Sequence, residues 1–193
     1  MTTVAFVGDI HGELVPLERL LEEVASRTSR FVFLGDYVNR GPQSKQVIDY
    51  LLEFEKSGAR CDFLLGNHDL AFLRAIDEGR LDAFLRMGGA ATLRSYGAAE
   101  PEKSIADRVP GAHVDFLRRL AHSAEGADFF AAHDAKAWTG MMQKFGVFGH
   151  QPQAGLLPTV TETYALIDTG CGTLADGRLT AFFWPSRDWV QAF

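Results

Sequence analysis

Long apolar runs, paired cysteines, an excess of basic charge and the common nucleophile motifs are all missing from this sequence. No stretch approaches the ~18 apolar residues that a membrane-spanning helix requires. The opening MTTVAFVGDIHGE meets Asp9 after a few apolar residues, with no basic region before it. Neither secretion nor membrane attachment is therefore expected, and the chain reads as cytoplasmic. Two cysteines, Cys61 and Cys171, are too few and too far apart for a disulfide framework or a CxxC zinc site. Acidic residues number 25 against 19 basic ones, a formal charge of −6, which argues against a nucleic-acid partner held through phosphate contacts. Neither GxxxxGK followed by Ser or Thr nor GxSxG occurs, so P-loop and serine-hydrolase chemistry lack their parts. Cys171 and Arg178 are spaced one residue too far apart for a cysteine-phosphatase loop.

What is present is a well-stocked core. Of 193 residues 47% are hydrophobic and 11% aromatic, enough for one core, so a single domain over 1–193 is expected. Short apolar runs at Thr3 to Val7, Phe31 to Leu34 and Cys61 to Leu65 predict buried strands. Between them, Leu14, Leu17, Leu20, Leu21 and Val24 form one helical stripe, and Val47, Ile48, Leu51 and Leu52 another, ended by Gly58. The alternation predicts βαβ units and a parallel sheet. From Leu70 to about Leu120 the pattern is mainly helical, interrupted at Met87-Gly88-Gly89 and by a polar loop around Ala98 to Pro110. Short strands then return at Phe129 to Ala132, Val147 to Phe148, Ala165 to Ile167, Leu179 to Phe183 and Trp189 to Phe193.

Several of these runs end alike: Phe6-Val7-Gly8-Asp9, Phe33-Leu34-Gly35-Asp36, Leu64-Leu65-Gly66-Asn67, Phe130-Ala131-Ala132-His133 and Val147-Phe148-Gly149-His150. In an open α/β sheet, ligands bind beyond the carboxyl ends of the strands, so these endings aim polar side chains at one crevice. His11, two residues past Asp9, joins them. Asp and Asn after strands also cap turns and helices, but the repetition favours a metal site. Two carboxylates, three imidazoles and one amide suit Mn, Fe or Zn, whereas Mg or Ca would take oxygens almost throughout. Six ligands exceed what one catalytic ion uses; two ions about 3.5 to 4 Å apart, sharing a carboxylate and a hydroxide, would employ them all.

Gly8-Asp9-Ile10-His11-Gly12, Gly35-Asp36-Tyr37-Val38-Asn39-Arg40-Gly41 and Gly66-Asn67-His68-Asp69 resemble the three signature blocks of the calcineurin-like phosphoesterases. Met87-Gly88-Gly89, Thr92 to Gly97, Phe148-Gly149-His150-Gln151-Pro152 and Ile167-Asp168-Thr169-Gly170 follow in the family's order. The nearest branches in pattern are bacterial and phage serine/threonine phosphatases and symmetrical dinucleoside tetraphosphatases. The resemblance implies an αββα sandwich with Asp9 and His11 on one ion, Asp36 bridging, and Asn67, His133 and His150 on the other. It also implies Arg40 as a phosphate clamp, against the plainer reading of a surface salt bridge, and His68 as general acid. The expected reaction is in-line attack of a metal-bridging hydroxide on a phosphate monoester of a phosphorylated peptide or small molecule, manganese being the expected metal in vitro. A dinucleoside polyphosphate hydrolase is the alternative, and a non-catalytic binding module a third reading.

Three departures from the family pattern stand out. His133-Asp134-Ala135 replaces the usual His-Gly-Gly or His-Ala-Gly, and Asn39 stands where an Asp is usual, which is expected to leave His68 less protonated. Between His133 and His150 no second Arg appears, although Lys136 and Lys144 do, so a shallow, open site is expected. His113, His122 and the tryptophans 138, 184 and 189 match no block and are expected to be surface or packing residues.

Overall fold

The apolar runs become strands because each alternates two buried faces, and both faces find a partner. The computed structural model describes residues 2–98, 105–138 and 143–193. Part of the predicted polar loop (99–104) and part of the segment between His133 and His150 (139–142) lie outside the described residues. One sheet contains β1 (Val4–Val7), β2 (Arg30–Phe33), β3 (Arg60–Phe63), β9 (Leu179–Trp184) and β10 (Trp189–Ala192) in the order β10-β9-β1-β2-β3. The other contains β4 (Ser123–Glu125), β5 (Phe129–Ala132), β6 (Phe145–Phe148), β7 (Thr159–Val160) and β8 (Tyr164–Leu166) in the order β4-β5-β6-β8-β7.

Each sheet has a parallel core, β1-β2-β3 in the first and β5-β6-β8 in the second, with antiparallel strands added at the edges. The parallel sheet expected from the βαβ pattern is present as β1-β2-β3, and β9 extends it antiparallel to β1. Val4, Phe6, Val32, Leu34 and Phe182 on the side of the first sheet meet Phe129, Ala131 and Val147 of the second in a core between the two sheets. Each such phenylalanine removed from water contributes roughly 1.5–3 kcal/mol. On the opposite face, Ala5, Val7, Phe31 and Phe33 pack under α1 (Leu14–Ala25), α2 (Ser44–Lys56), α3 (Asn67–Glu78) and α6 (Gly111–Arg118). The helical text around Met87 resolves into α4 (Leu81–Arg86) and α5 (Gly89–Ser95), with Gly88 at φ +86° between them. Beyond the second sheet, the outer layer among the described residues is one 3-10 turn, Ala135–Ala137, with Trp138 against Phe148 and Tyr164. No helix among the described residues is long and apolar enough to cross a membrane.

Candidate metal centre

The six strands of the two parallel cores point their carboxyl ends at one another, and each runs into a polar residue. Asp9, Asp36 and Asn67 follow β1, β2 and β3; His133, His150 and Asp168 follow β5, β6 and β8. The sheets are tied together at this end. The His150 amide donates to Asp9 Oδ1 at 3.1 Å, and His133 Nδ1 donates to the Leu34 carbonyl at 3.0 Å. Gly66 and Gly149 leave the room required: a Cβ there would lie 2.0 Å from Asp36 Oδ1 and 2.2 Å from Asp9 Oδ1.

Backbone strain collects at the same place. His11, Asp36, Asn39, Arg40 and His150 are non-glycine residues at φ between 48° and 74°. Each such conformation costs on the order of 1–3 kcal/mol, and such residues cluster where side-chain aim matters more than local ease.

Two groups of donor atoms share Asp36. His11, Asp36 and His68 present ligand atoms within 4.8 Å of one another, as do Asp36, His133 and His150. His11 Nε2 lies 3.8 Å from Asp36 Oδ2 and 4.0 Å from Asp9 Oδ2, its Nδ1 being held by the Val38 carbonyl at 3.2 Å. Asn67 Oδ1 is 3.0 Å from His133 Nε2 and 2.9 Å from His150 Nδ1, and those two nitrogens are 3.1 Å apart. Donors ~2.1 Å from one ion and at right angles stand ~3 Å apart, so these three atoms fit corners of a single coordination sphere. The carbonyl bonds to His11 and His133 fix which ring nitrogen faces inward, as metal-binding histidines require.

The electrostatics ask for positive charge. Burial pushes the carboxyl pKa of Asp9 well above its ordinary value, and Asp168 adds to the push. Burial likewise lifts Asp168 to about 6, and its Oδ2 is buried without a hydrogen-bond partner while Oδ1 accepts from the Gly170 amide at 2.9 Å. Burial acts upward on Asp36 too, but His133, His11 and His68 outweigh it and hold the carboxyl low. For His133 burial acts downward, yet Asp36 and Asp9 raise the imidazole to about 10. Burial takes His11 down to about 3, leaving it neutral with a lone pair to offer. A donor set of this kind, with an orphaned buried carboxylate oxygen and a proton held where charge is wanted, fits divalent cations.

Around the ligands, Asn39 Nδ2 donates to His68 Nδ1 at 3.0 Å, because Asn39 Oδ1 already accepts from the Thr92 hydroxyl at 2.9 Å. Asp69 does not compensate for the missing carboxylate: it accepts from the amides of Asp36, Tyr37 and Gly66. Burial, then Asp36, lifts it to about 7. Arg40 makes no surface salt bridge among the described residues; it bonds the Thr173 hydroxyl and lies 3.4 Å from His68 Nε2. Lys136 and Lys144 supply no clamp, being paired with Asp134 and Glu125. Beside the candidate ligands, α3 and α4 build a cavity of about 850 Å³ that begins at Asn67 and carries Arg74, Arg80 and Arg86.

Three residues escaped the sequence reading. Asp168 sits in a quoted block without a role; the apolar run Ala165-Leu166-Ile167 before it was its signal. Thr92 opens another quoted block, but its bonds to Asn39 are met only through the fold. His113, expected at the surface, is instead 2% exposed, set between the Tyr96 hydroxyl at 2.8 Å and Asp49 at 2.9 Å, whereas His122 is exposed as expected. Cys171 is buried, and burial pushes its thiol far from thiolate character. Trp138 and Trp184 pack against neighbouring aromatics.

The family model for calcineurin-like phosphoesterases matches residues 2–153. A symmetrical bis(5'-nucleosyl)-tetraphosphatase of Bordetella pertussis is 49% identical over 72 residues, 36% of this chain and 25% of that protein. The same-named protein of Pseudomonas fluorescens SBW25 is 46% identical over 137 residues, 69% of this chain and 42% of its own length. The chain thus spans less than half of these curated relatives. Among solved structures, a candidate diadenosine tetraphosphatase superposes with a TM-score of 0.70 at 22% identity, covering 99% of this chain and 93% of that one. A cold-active protein-tyrosine phosphatase of a Shewanella species gives 0.67 at 12% identity, covering 100% and 81%. These two share the fold.

Proposed function

The chain belongs to the calcineurin-like phosphoesterase family, and from that premise we propose that it hydrolyses a phosphoric anhydride, a dinucleoside polyphosphate, with residues 1–193 working as one catalytic unit. In this reading Asp9 and His11 hold one divalent ion, Asn67, His133 and His150 hold the other, and Asp36 serves both. Bound there, the ions would supply a hydroxide nucleophile at neutral pH and counter the charge of the phosphate. Arg40 orients the phosphate oxygens with its planar fork of donors, braced by Thr173. His68 faces the leaving oxygen with Nε2.

The observation that carries the choice of substrate is the bond from Asn39 to His68. Because the amide donates to Nδ1, the neutral ring keeps its one proton on Nε2 and the doubly protonated ring is disfavoured. Burial lowers the pKa of His68 in the same direction. A nucleoside diphosphate leaves as a phosphate of pKa about 6 and asks for little protonation, whereas a serine alkoxide asks for a full proton. The names of the curated relatives support the same substrate class, so the serine/threonine phosphatase expected first from the sequence gives way to its alternative.

The test compares diadenosine tetraphosphate, nitrophenyl phosphate and a phosphoserine peptide with metal-depleted protein to which manganese is returned. The expected kcat/KM for the tetraphosphate exceeds that for the peptide by at least about a hundredfold, the lower end of what general-acid help contributes. The reverse order would restore the protein-phosphatase reading.

A further inference from the structure

Apart from Asn67, the cavity beside the candidate metal ligands is built from side chains that the reaction proposed there does not use. Its walls come from α3 and α4, closed by Gly79, and it holds about 850 Å³, within the range of small-molecule sites. Leu70, Ala71, Leu81 and Met87 give it an apolar floor without an aromatic ring, and three arginines, 74, 80 and 86, stand at its rim with one acid, Asp82. Arg80 is paired with Glu78 at 3.3 Å, but among the described residues Arg74 and Arg86 have no acidic partner. Two guanidinium groups without an acidic partner at one opening, in a chain of charge −6, offer an anion a local site of opposite charge.

The cavity is continuous with the site at both of its inner corners. Asn67 is at once a candidate ligand and a cavity wall, and Met87 leads to Gly88, whose carbonyl accepts from the Arg40 amide at 3.3 Å. A phosphate chain whose reacting phosphorus lies at the candidate ligands can therefore extend past Asn67 into the cavity. A single phosphomonoester would be consumed by the metals and Arg40, leaving Arg74 and Arg86 nothing to bind. Several phosphates in a row, ended by a flat apolar base, match rim and floor together. A peptide fits less well, because helical walls have their backbone groups paired internally and offer no strand edge to an extended chain.

We infer that this cavity is the subsite for the second nucleotide of the dinucleoside polyphosphate, its outer phosphates on Arg74 and Arg86 and its base on the Leu70, Leu81 and Met87 floor. The inference rests on the anhydride reading above. Arg74, Arg86 and Ala83 are exposed, so their replacement leaves the core intact.

Two variants test it with manganese present: Arg74→Ala combined with Arg86→Ala, and Ala83→Trp, which puts an indole into the cavity from its exposed wall. The readouts are KM for diadenosine tetraphosphate and the inhibition constants of adenosine diphosphate and of inorganic phosphate. Both KM and the diphosphate constant should rise roughly tenfold or more, while the inorganic phosphate constant moves under about twofold, since two charge-assisted contacts are lost only to the nucleotide. Unchanged KM and diphosphate constants in both variants would overturn the subsite while leaving the function standing. Weakened binding of a phosphoserine peptide in place of the nucleotides would overturn it in favour of a protein substrate. If the wild type does not cleave the tetraphosphate, the anhydride reading fails, and the diphosphate constant still decides the cavity.

Discussion

The amide of Asn39 can only donate to His68 because its oxygen is taken by Thr92, and Thr92 in turn is fixed by the Asn39 backbone amide at 2.8 Å and by Ser44 at 2.9 Å. Asn39→Asp keeps that frame but presents a carboxylate to Nδ1, which now gains a proton and a neighbouring negative charge, so the imidazole pKa rises. Hydrolysis of an alkyl phosphate should accelerate by about tenfold or more, with the rate holding to higher pH, while nitrophenyl phosphate and the tetraphosphate change by under about threefold. Equal gains on all three substrates would mean that proton donation by His68 is not what Asn39 limits. The ligand candidates were legible because each ends an apolar run in a residue whose chemistry is plain. The relay was not, since Thr92 lies 53 residues from Asn39 and nothing in a helical stretch marks one hydroxyl as a partner. His113 was misread for a related reason: a lone histidine in helical text looks solvated until Tyr96 and Asp49 are brought to it by α5 and α2.

Strand ends and their glycines do at the scale of elements what side chains do at the scale of residues. Gly66 has an ordinary extended backbone, φ −88° and ψ 165°, so its lack of a side chain serves space rather than conformation. Gly66→Ala would drive a methyl group onto the Asp36 carboxylate, 2.0 Å from Oδ1, and turn it from its aim. Manganese affinity should drop about 10- to 100-fold, as when the groups orienting a metal ligand are disturbed. Gly155→Ala, where a Cβ meets nothing within 4 Å, should leave affinity unchanged and move stability by under about 0.5 kcal/mol. Metal content after dialysis reads both, and equal retention in the two variants would sink the argument. The three strands of each parallel core and the helices between them could be read from periodicity. The edge strands β4 and β7 could not, because Ser123-Ala124-Glu125 and the exposed Thr159-Val160 carry too little apolar surface to show a pattern. Nor could β9 be known to run antiparallel, since an apolar run has no direction. The arginines of α3 and α4 were legible as residues but not as a rim, for exposed arginine on a helix is the common solvated case.

For the whole molecule, the two sheets bring four buried carboxylates, Asp9, Asp36, Asp69 and Asp168, to one end of the fold. Without metal, protons take the place of cations. His133 is raised to about 10 by Asp36 and Asp9 against the effect of burial, so its contribution to stability is complete below about 6.5 and is lost as pH climbs towards 10. Burial raises Asp69 to about 7 and Asp168 to about 6, and since the unfolded chain has released those protons above about 4, stability falls as pH rises through 4 to 7. His11, lowered to about 3 by burial, acts at the other end, where stability is lost as pH falls below about 6.5. Above neutrality the His133 slope points down, and from about pH 9 the thiols of Cys61 and Cys171, both raised by burial, add to it. Divalent ions held at the site would remove the His133 slope by replacing the proton and, binding the folded chain alone, would add about 2.7 kcal/mol at a hundredfold excess over Kd. That amounts to roughly 5–10 °C in Tm for a chain of this size. Thermal unfolding with manganese and with a chelator, at pH 6.5 and at pH 9, should therefore show a metal-dependent gap at both, larger at pH 9. Asp36→Asn, which removes the carboxylate that most raises His133 and that both ligand groups share, should shrink the gap at both pH values and flatten its pH dependence. A gap of equal size at the two pH values in the wild type, or one untouched by Asp36→Asn, would show that the buried carboxylates are balanced by something other than the cations proposed to sit among them.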